Sequence, residues 1–129
     1  MATTPQFAST VHTAVGQVST ANTNRDGTGT IATIFTAGSN GSRIETVEIQ
    51  ATGTTTAGMV RLYIHDGTNA RLLREQPISA VTPSGTAPAF SIVLPFGDLS
   101  PLLLQNGWSL RASTQNANTF NITVFGGDF

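Results

Sequence analysis

The sequence predicts an all-β fold, a sandwich or barrel of seven to eight strands with mainly antiparallel hairpin connections. No stretch of useful length places apolar residues at helical spacing, whereas short strand-like runs alternate with segments rich in glycine, proline and asparagine. Threonine, a β-branched residue suited to the half-exposed face of a pleated sheet, occurs 21 times. The length of 129 residues is that of one domain with one modest core.

The first 28 residues differ from the rest of the chain because their apolar residues are few and widely spaced. These apolar residues are Phe7, Val11, Val15 and Val18. We expect residues 1–10 to form an extended N-terminal arm, residues 10–19 a possible edge strand, and residues 22–30 a turn or loop. This divides the chain into an N-terminal arm with a possible edge strand at 1–28 and a β-sandwich domain at 29–129.

Three strands are expected in the segment after the arm. Residues 30–36 have the composition of a buried strand, and in residues 43–52 the position of Ile44 indicates a bulge near Glu45. Residues 58–65 alternate between two sets of side chains, as a strand with two different faces does. One face carries Val60, Leu62 and Ile64, and the other carries Met59, Arg61, Tyr63 and His65.

The strongest hairpin signal is Asp66-Gly67, because Asp-Gly supplies the positive φ that a tight turn needs. Its return strand is expected at residues 70–76. Prolines punctuate residues 78–88, which we expect to form a long surface loop, and residues 89–94 alternate as a strand.

Three apolar segments complete the chain. Residues 99–104 are interrupted by Pro101, which predicts an irregular and partly buried connection. Residues 108–113 and 119–125 are expected to close the sheets. Phe129 follows Gly126-Gly127, and we expect it to be buried against its own domain or a neighbouring subunit.

Composition excludes several kinds of chemistry. Without cysteine there are no disulfides, zinc ribbons, iron–sulfur clusters or thiol catalysis, and without lysine there is no P-loop cation or Schiff base. A net charge of −1 argues against nucleic acid as the main ligand, and no segment approaches the ~20 apolar residues of a membrane span. The N-terminus lacks the pattern of a secretory signal, so we expect assembly inside the producing cell.

Candidate catalytic residues are few. His12 and His65 have no metal-ligand spacing, and His65 beside Asp66 is better explained as a hairpin-end residue than as part of a catalytic dyad. Glu45 and Glu48 point to opposite faces of a strand unless a bulge intervenes, which makes them a poor glycosidase pair. We expect no enzyme activity, no cofactor and no metal.

Binding residues are the remaining candidates. Trp108 with Tyr63 could form a sugar-stacking platform, although a core position explains Trp108 more simply. Four of the six arginines fall on three neighbouring strand candidates, where they form a polar face that is either solvated or meets an acidic partner. The candidate interface residues are Phe7, Val11, Val15, Arg61, Arg71, Arg74, Arg111 and Phe129.

The order of four segments resembles that of a group of small tailed-bacteriophage virion proteins. The segments are FTAGSNGSRIETVEIQATGTT (35–55), VRLYIHDGTNARLLREQPI (60–78), GWSLRAST (107–114) and VFGGDF (124–129). In such proteins they correspond to a glycine turn before a strand, an I-x-D-G hairpin, a G-aromatic-S-L-R strand, and a closing Gly-Gly-Asp-aromatic. The resemblance covers residues 30–129.

The resemblance implies a jelly-roll-like antiparallel β-sandwich and a structural place on the virion, with no catalytic residues. The best match is a head decoration, or cement, protein on the capsid surface: a homotrimer that binds the major capsid protein across neighbouring subunits and is assembled in the host bacterial cytoplasm. Its arm would add a strand to an exposed sheet edge of another chain. A tail or fibre-associated virion protein and a carbohydrate- or receptor-binding module remain alternatives. No nucleic acid or membrane partner is implied.

Overall fold

The computed structural model describes residues 9–96 and 102–129, so Phe7 and most of the predicted arm lie outside the described residues. The described residues form nine β-strands: β1 (Thr10–Val18), β2 (Ala32–Thr36), β3 (Ser42–Ala51), β4 (Gly58–His65), β5 (Ala70–Ile78), β6 (Ser91–Pro95), β7 (Leu102–Leu104), β8 (Ser109–Thr114) and β9 (Phe120–Asp128). Within these two ranges no helix is long and apolar enough to cross a membrane.

The strands form two sheets. The first has the order β1-β9-β3-β6, with β7 also paired to β3, and the second has the order β2-β8-β4-β5. The pairs β1–β9, β2–β8, β3–β6 and β4–β5 are those of one long antiparallel hairpin rolled up into two sheets. This arrangement is a jelly roll, and it confirms the predicted all-β antiparallel sandwich.

The core fills the space between the two sheets. Val47 and Ile49 of β3 and Ile122 and Val124 of β9 are completely buried, as is Leu62 of β4 on the opposing sheet. These positions alternate with more exposed ones along β3 and β9, as the period of a strand requires. Each such side chain stabilises the fold by about 1.5–3 kcal/mol through removal of its apolar surface from water.

The bulge predicted near Glu45 interrupts the register of β3 against β9 between Ile44 and Thr46. At this point the two backbones approach closely, and a Cβ added to Gly126 would lie 2.2 Å from the carbonyl oxygen of Arg43. Only a glycine leaves room for that carbonyl. Gly126 therefore permits β9 to lie against β3 at the bulge.

The hairpin between β4 and β5 turns at Asp66 and Gly67, where the sequence places it. Gly67 has a φ of 92°, in the left-handed region that favours glycine. The carboxylate of Asp66 accepts hydrogen bonds from the backbone N–H groups of Thr68, at 3.0 Å, and Asn69, at 2.8 Å. These bonds close the turn and lower the pKa of Asp66.

Both faces of β4 are buried, although the sequence predicts one apolar and one polar face. The inward face packs in the core, and the segment between β1 and β2 covers the other. Arg61 is 1% exposed and Tyr63 is completely buried. The hydroxyl of Tyr63 donates to the carbonyl of Asn24 at 2.9 Å, which ties the covering segment to the strand.

Arg61 donates three hydrogen bonds inside the domain. Its Nη1 bonds the carbonyl of Asn22 at 3.3 Å, its Nη2 bonds Gln115 Oε1 at 2.6 Å, and its Nε bonds Glu75 Oε1 at 3.2 Å. The guanidinium therefore links the covering segment, β5 and the end of β8. A buried cation needs such partners, because burial without them carries a large desolvation cost.

The covering segment is held in shape by Asn22, which is itself 5% exposed. Its side-chain amide donates to the carbonyls of Thr28 and Thr30, each at 3.0 Å, and its Oδ1 accepts from the N–H of Asn24. A loop that carries its own side-chain hydrogen bonds can lie flat on a sheet without leaving backbone groups unpaired.

One predicted element differs from the structure, and another is confirmed. The irregular connection at 99–104 contains a short strand, because Ser42–Ile44 pair with Leu102–Leu104; residues 97–101 lie outside the described residues. The possible edge strand at 10–19 pairs with β9 through nine successive residue pairs. Thr10–Val18 therefore form an edge strand of the first sheet, as the sequence predicts.

We expect Arg61→Met to lower the free energy of unfolding by about 3 kcal/mol, because it leaves the buried carbonyl of Asn22 and the side chain of Gln115 without their donor. Arg25→Met is the matched control. Arg25 also pairs with Glu75, but its side chain is 60% exposed, so its loss should cost less than about 1 kcal/mol. Urea unfolding of both variants measures this. An equal loss of unfolding free energy in both variants would contradict a larger contribution to stability from the buried Arg61.

The tight approach at the bulge gives a second prediction. Gly126→Ala should lower the free energy of unfolding by at least about 2 kcal/mol, because the new methyl group overlaps the carbonyl of Arg43. Gly53→Ala, where nothing lies within 4 Å of the added Cβ, should stay within about 0.5 kcal/mol of the wild type. Thermal unfolding compares the two. Similar melting temperatures for both variants would contradict the close approach.

Candidate interaction surface

The solvent-facing side of the first sheet, called here the outer face, carries most of the large exposed apolar side chains. Of the eight such residues in the described ranges, five lie on it. They are Val11 (86% exposed), Val15 (68%), Leu103 (54%), Val93 (53%) and Phe125 (39%). Val11 and Val15 come from β1, and the other three come from β7, β6 and β9 respectively.

Strand register brings these residues together. Val15 lies opposite Thr123, Thr123 lies opposite Glu48, and Glu48 lies opposite Val93. These four residues form one row across the sheet, about 14 Å long at the usual strand spacing. Phe125 stands in the next row, two residues along β9 from Thr123. The outer face is therefore a continuous surface assembled from strands that are far apart in the sequence.

The outer face carries little charge. Arg43 is 8% exposed, and its Nε lies 3.8 Å from Glu45 Oε1. Glu48 is half-buried, and its neighbours within the sheet include Thr46 and Gln50. Arg43 and Glu48 both belong to β3, an inner strand, where one is buried and the other half-buried. The exposed part of the face therefore consists mainly of apolar and uncharged polar side chains, the composition of a protein–protein contact.

The structure separates the four arginines that the sequence placed on one polar face. Arg61 is buried and bonded within the chain, so it offers no group to a partner. Arg74 lies over the ring of Phe96, with its guanidinium carbon 4.5 Å from the ring centroid. Arg71 is exposed, and Arg111 is half-buried with its Nε donating to Ser109 Oγ at 3.0 Å.

Arg71 and Arg111 line a polar depression of about 290 Å³, together with Asp26 and His65. Its titratable groups already bond to nearby turns. His65 Nδ1 accepts from the N–H of Gly67 at 3.1 Å, and the hydrogen bonds of Thr28 to Asp26 lower the pKa of that carboxyl. No group of three metal-ligating side chains gathers anywhere in residues 9–96 and 102–129.

A histidine, an aspartate and a serine meet at the end of β9. His12 Nδ1 lies 2.7 Å from Asp128 Oδ1, and Ser42 Oγ donates to the same oxygen at 2.5 Å. Ser42 Oγ also accepts from the N–H of Gly38 at 2.8 Å. The ring of His12 stacks on buried Phe35, with centroids 4.0 Å apart.

This cluster is built to hold strands together. In a hydrolytic triad the imidazole stands between serine and carboxylate, whereas here the carboxylate of Asp128 stands between His12 and Ser42. The hydroxyl of Ser42 and the ring of His12 hold the pKa of Asp128 below its usual range. The ionised carboxylate thus clamps β1 to β9 and to the start of β3.

Two predictions concern aromatic residues: a sugar-stacking platform of Trp108 with Tyr63, and a buried Phe129. Tyr63 is completely buried and Trp108 packs partly buried against the core, so the two rings do not form an exposed sugar platform. Phe129 is 45% exposed, with its N–H donating to the carbonyl of Gly41 at 3.1 Å, so its own domain buries it only in part.

Phe125, Val93 and Leu103 were not among the interface residues predicted from the sequence. A signal was present for Val93: with Ile92 and Leu94 on either side, strand alternation places Val93 on the opposite face from both. Apolar residues on both faces of a strand indicate that one face meets something other than the core. The alternation of residues 89–94 was used to predict the strand, and Val93 was not assigned to a contact surface.

No known protein-family model matches the chain, and no curated protein sequence matches it either. A comparison with solved structures finds two crystal structures of a pentameric capsid protein isolated from metagenomic phage sequences. Each match covers 90% of this chain, with 19% sequence identity and a TM-score of 0.44. This chain spans 59% and 62% of the length of those two chains.

The clamp at Asp128 predicts acid sensitivity. A carboxyl whose pKa is lowered by folding contributes stability that is complete above its unfolded pKa and is lost as the pH falls through the folded one. The wild type should therefore lose more unfolding free energy than Asp128→Asn on going from about pH 6 to about pH 3. Urea unfolding at both pH values measures this.

Like Asp128→Asn, Ser42→Ala should lose less unfolding free energy at acid pH than the wild type does, because it removes the main hydrogen bond to the carboxylate. Glu48→Gln exchanges a carboxylate for an amide on the same sheet without touching the cluster, and it supplies the baseline. An identical pH dependence in the wild type and Asp128→Asn would contradict the clamp.

Proposed function

We propose that this chain is a non-enzymatic structural protein of a tailed-bacteriophage virion, a decoration or cement protein that docks on the major capsid protein through its outer face. The observation that carries the proposal is the outer face itself. Val93, Leu103 and Phe125 stand exposed on a sheet surface with little charge. The resemblance of four sequence segments to small virion proteins supplies the class of particle.

The physical chemistry of the face suits a role in cementing subunits. Apolar surface contributes roughly 25 cal/mol for each Å² that binding removes from water. Side chains such as Val15 and Leu103, 68% and 54% exposed, still have most of that surface to bury. A protein that contacts two neighbouring capsid subunits at once makes several modest contacts act together, since the second forms at a high effective concentration.

The alternatives have less support in the geometry. A carbohydrate-binding module would need an exposed aromatic platform, and Tyr63 is buried beneath the segment that contains Asn24. An enzyme would need a nucleophile or base directed into a cleft. The polar depression holds Asp26 and His65 in turn-forming hydrogen bonds, and Ser42 lies outside it.

The docking face is tested with Val93→Asp and Leu103→Asp, which place a charge on exposed positions and leave the core intact. Each should weaken binding to capsids at least about tenfold, because a carboxylate at the contact loses its water without gaining a partner. Leu72→Asp is the matched control, since Leu72 is 38% exposed on β5 of the other sheet. The readout is co-sedimentation with phage heads that lack the protein.

Unchanged binding of Val93→Asp and Leu103→Asp would overturn the docking face, as would an equal loss of binding by Leu72→Asp. The same assay on purified tails distinguishes the position on the virion. Binding to tails and not to heads would replace decoration of the capsid by a tail-associated role.

A further inference from the structure

The two sheets have four edges, and three of them carry features that prevent pairing with another chain. Strand β5 has two arginines, a glutamate, a proline and a bulge against β4. Strand β2 has five residues and a bulge, and β6 has five residues and ends at Pro95. Short length, charge, proline and bulges are the usual means by which edge strands avoid association.

The fourth edge, β1, has none of these features. It contains nine residues, TVHTAVGQV, with no proline, arginine or carboxylate, and its register against β9 runs without a bulge. Among the described residues β1 pairs with β9 alone. Ala14 and Gly16 point inward yet remain half-exposed, which shows that the free side of the strand is open. A long edge with unbroken register and no arginine, aspartate or glutamate is a template for another strand.

We propose that β1 pairs antiparallel with β1 of a second copy of this chain, across a twofold axis at Thr13. This register places Val11 opposite the partner's Val15, and Val15 opposite the partner's Val11. Thr13 faces its own counterpart. Opposing valine pairs and a threonine pair are favourable across antiparallel strands. An interface that uses the same patch on both subunits is the usual form of a twofold contact.

Other registers fit less well. A shift of two residues in either direction places a valine opposite Thr13 and leaves the second valine opposite a polar residue or beyond the strand. The register at Thr13 also pairs Ser9 with the partner's Gln17, which matches polar with polar. No like charges oppose each other, because the ring of His12, the one titratable side chain of β1, is bonded inward to Asp128.

The pairing would join two first sheets into one continuous eight-stranded sheet, apart from β7. Both outer faces would then lie on the same side, with Val11 and Val15 of each copy at the centre. The inference does not depend on the virion assignment, because the edge is open whatever the outer face binds. It predicts a dimer, whereas the resemblance implied a homotrimer.

The test uses single cysteines, which are unambiguous because the chain has none. Thr13→Cys should form a disulfide-linked dimer under mild oxidation, since opposing residues at the axis have Cα atoms about 4.5–5.5 Å apart, within reach of a disulfide. Thr33→Cys is the control, because Thr33 is also an exposed threonine and lies on an edge strand of the other sheet. Equal cross-linking of both variants, or none of Thr13→Cys, would overturn the proposal.

Sedimentation equilibrium gives an independent readout without cross-linking. Thr13→Lys places two positive charges at the axis and should weaken the dimer at least about tenfold. Thr33→Lys should leave it unchanged, and circular dichroism checks that both variants remain folded. A wild-type chain that sediments as a monomer or a trimer would overturn the twofold pairing. Val93→Asp leaves β1 unchanged, so the result of its capsid-binding assay does not affect the test of the dimer. The two proposals can therefore fail independently.

Discussion

The position of β9 between β1 and β3 is the constraint on which the first sheet depends. Along nearly its whole length β9 bonds on one side to the beginning of the described chain and on the other to β3. Gly126 makes the close approach to β3 possible, and Asp128 fixes the end of the strand through His12 and Ser42. Because these partners are distant in sequence, the sheet is completed by contacts that cost chain entropy before they stabilise anything.

The two sheets treat their solvent sides differently, and this asymmetry is the basis of the functional proposal. The second sheet is covered by the chain's own segment around Asn22 and Asn24, which leaves Arg61 and Tyr63 inside with their hydrogen bonds satisfied. Within the described residues no segment covers the first sheet in this way, and Val93 and Leu103 are exposed to solvent on its outer face. Exposed apolar side chains grouped on one sheet face are typical of a protein interaction site.

The outer face and the β1 edge meet at Val11 and Val15 but differ in chemistry. The face provides apolar contact, which is tolerant of the partner's detailed structure, whereas the edge provides backbone hydrogen bonds, which fix direction and register. A protein with both can join its own copies by one and attach to a larger assembly by the other. Low charge suits both contacts, since few ionised groups have to be desolvated when they form.

The sequence by itself determined the fold class, most strand positions, the turn at Asp66-Gly67 and the bulge near Glu45, because period-two alternation and turn chemistry are local properties of the chain. It also excluded thiol and lysine chemistry. Only the tertiary structure decided which face of each strand meets solvent. Alternation separates the two faces of residues 58–65, but a segment some 35–40 residues earlier covers the second one. In the same way, His12 meets Asp128 across 116 residues, a contact that no local pattern encodes.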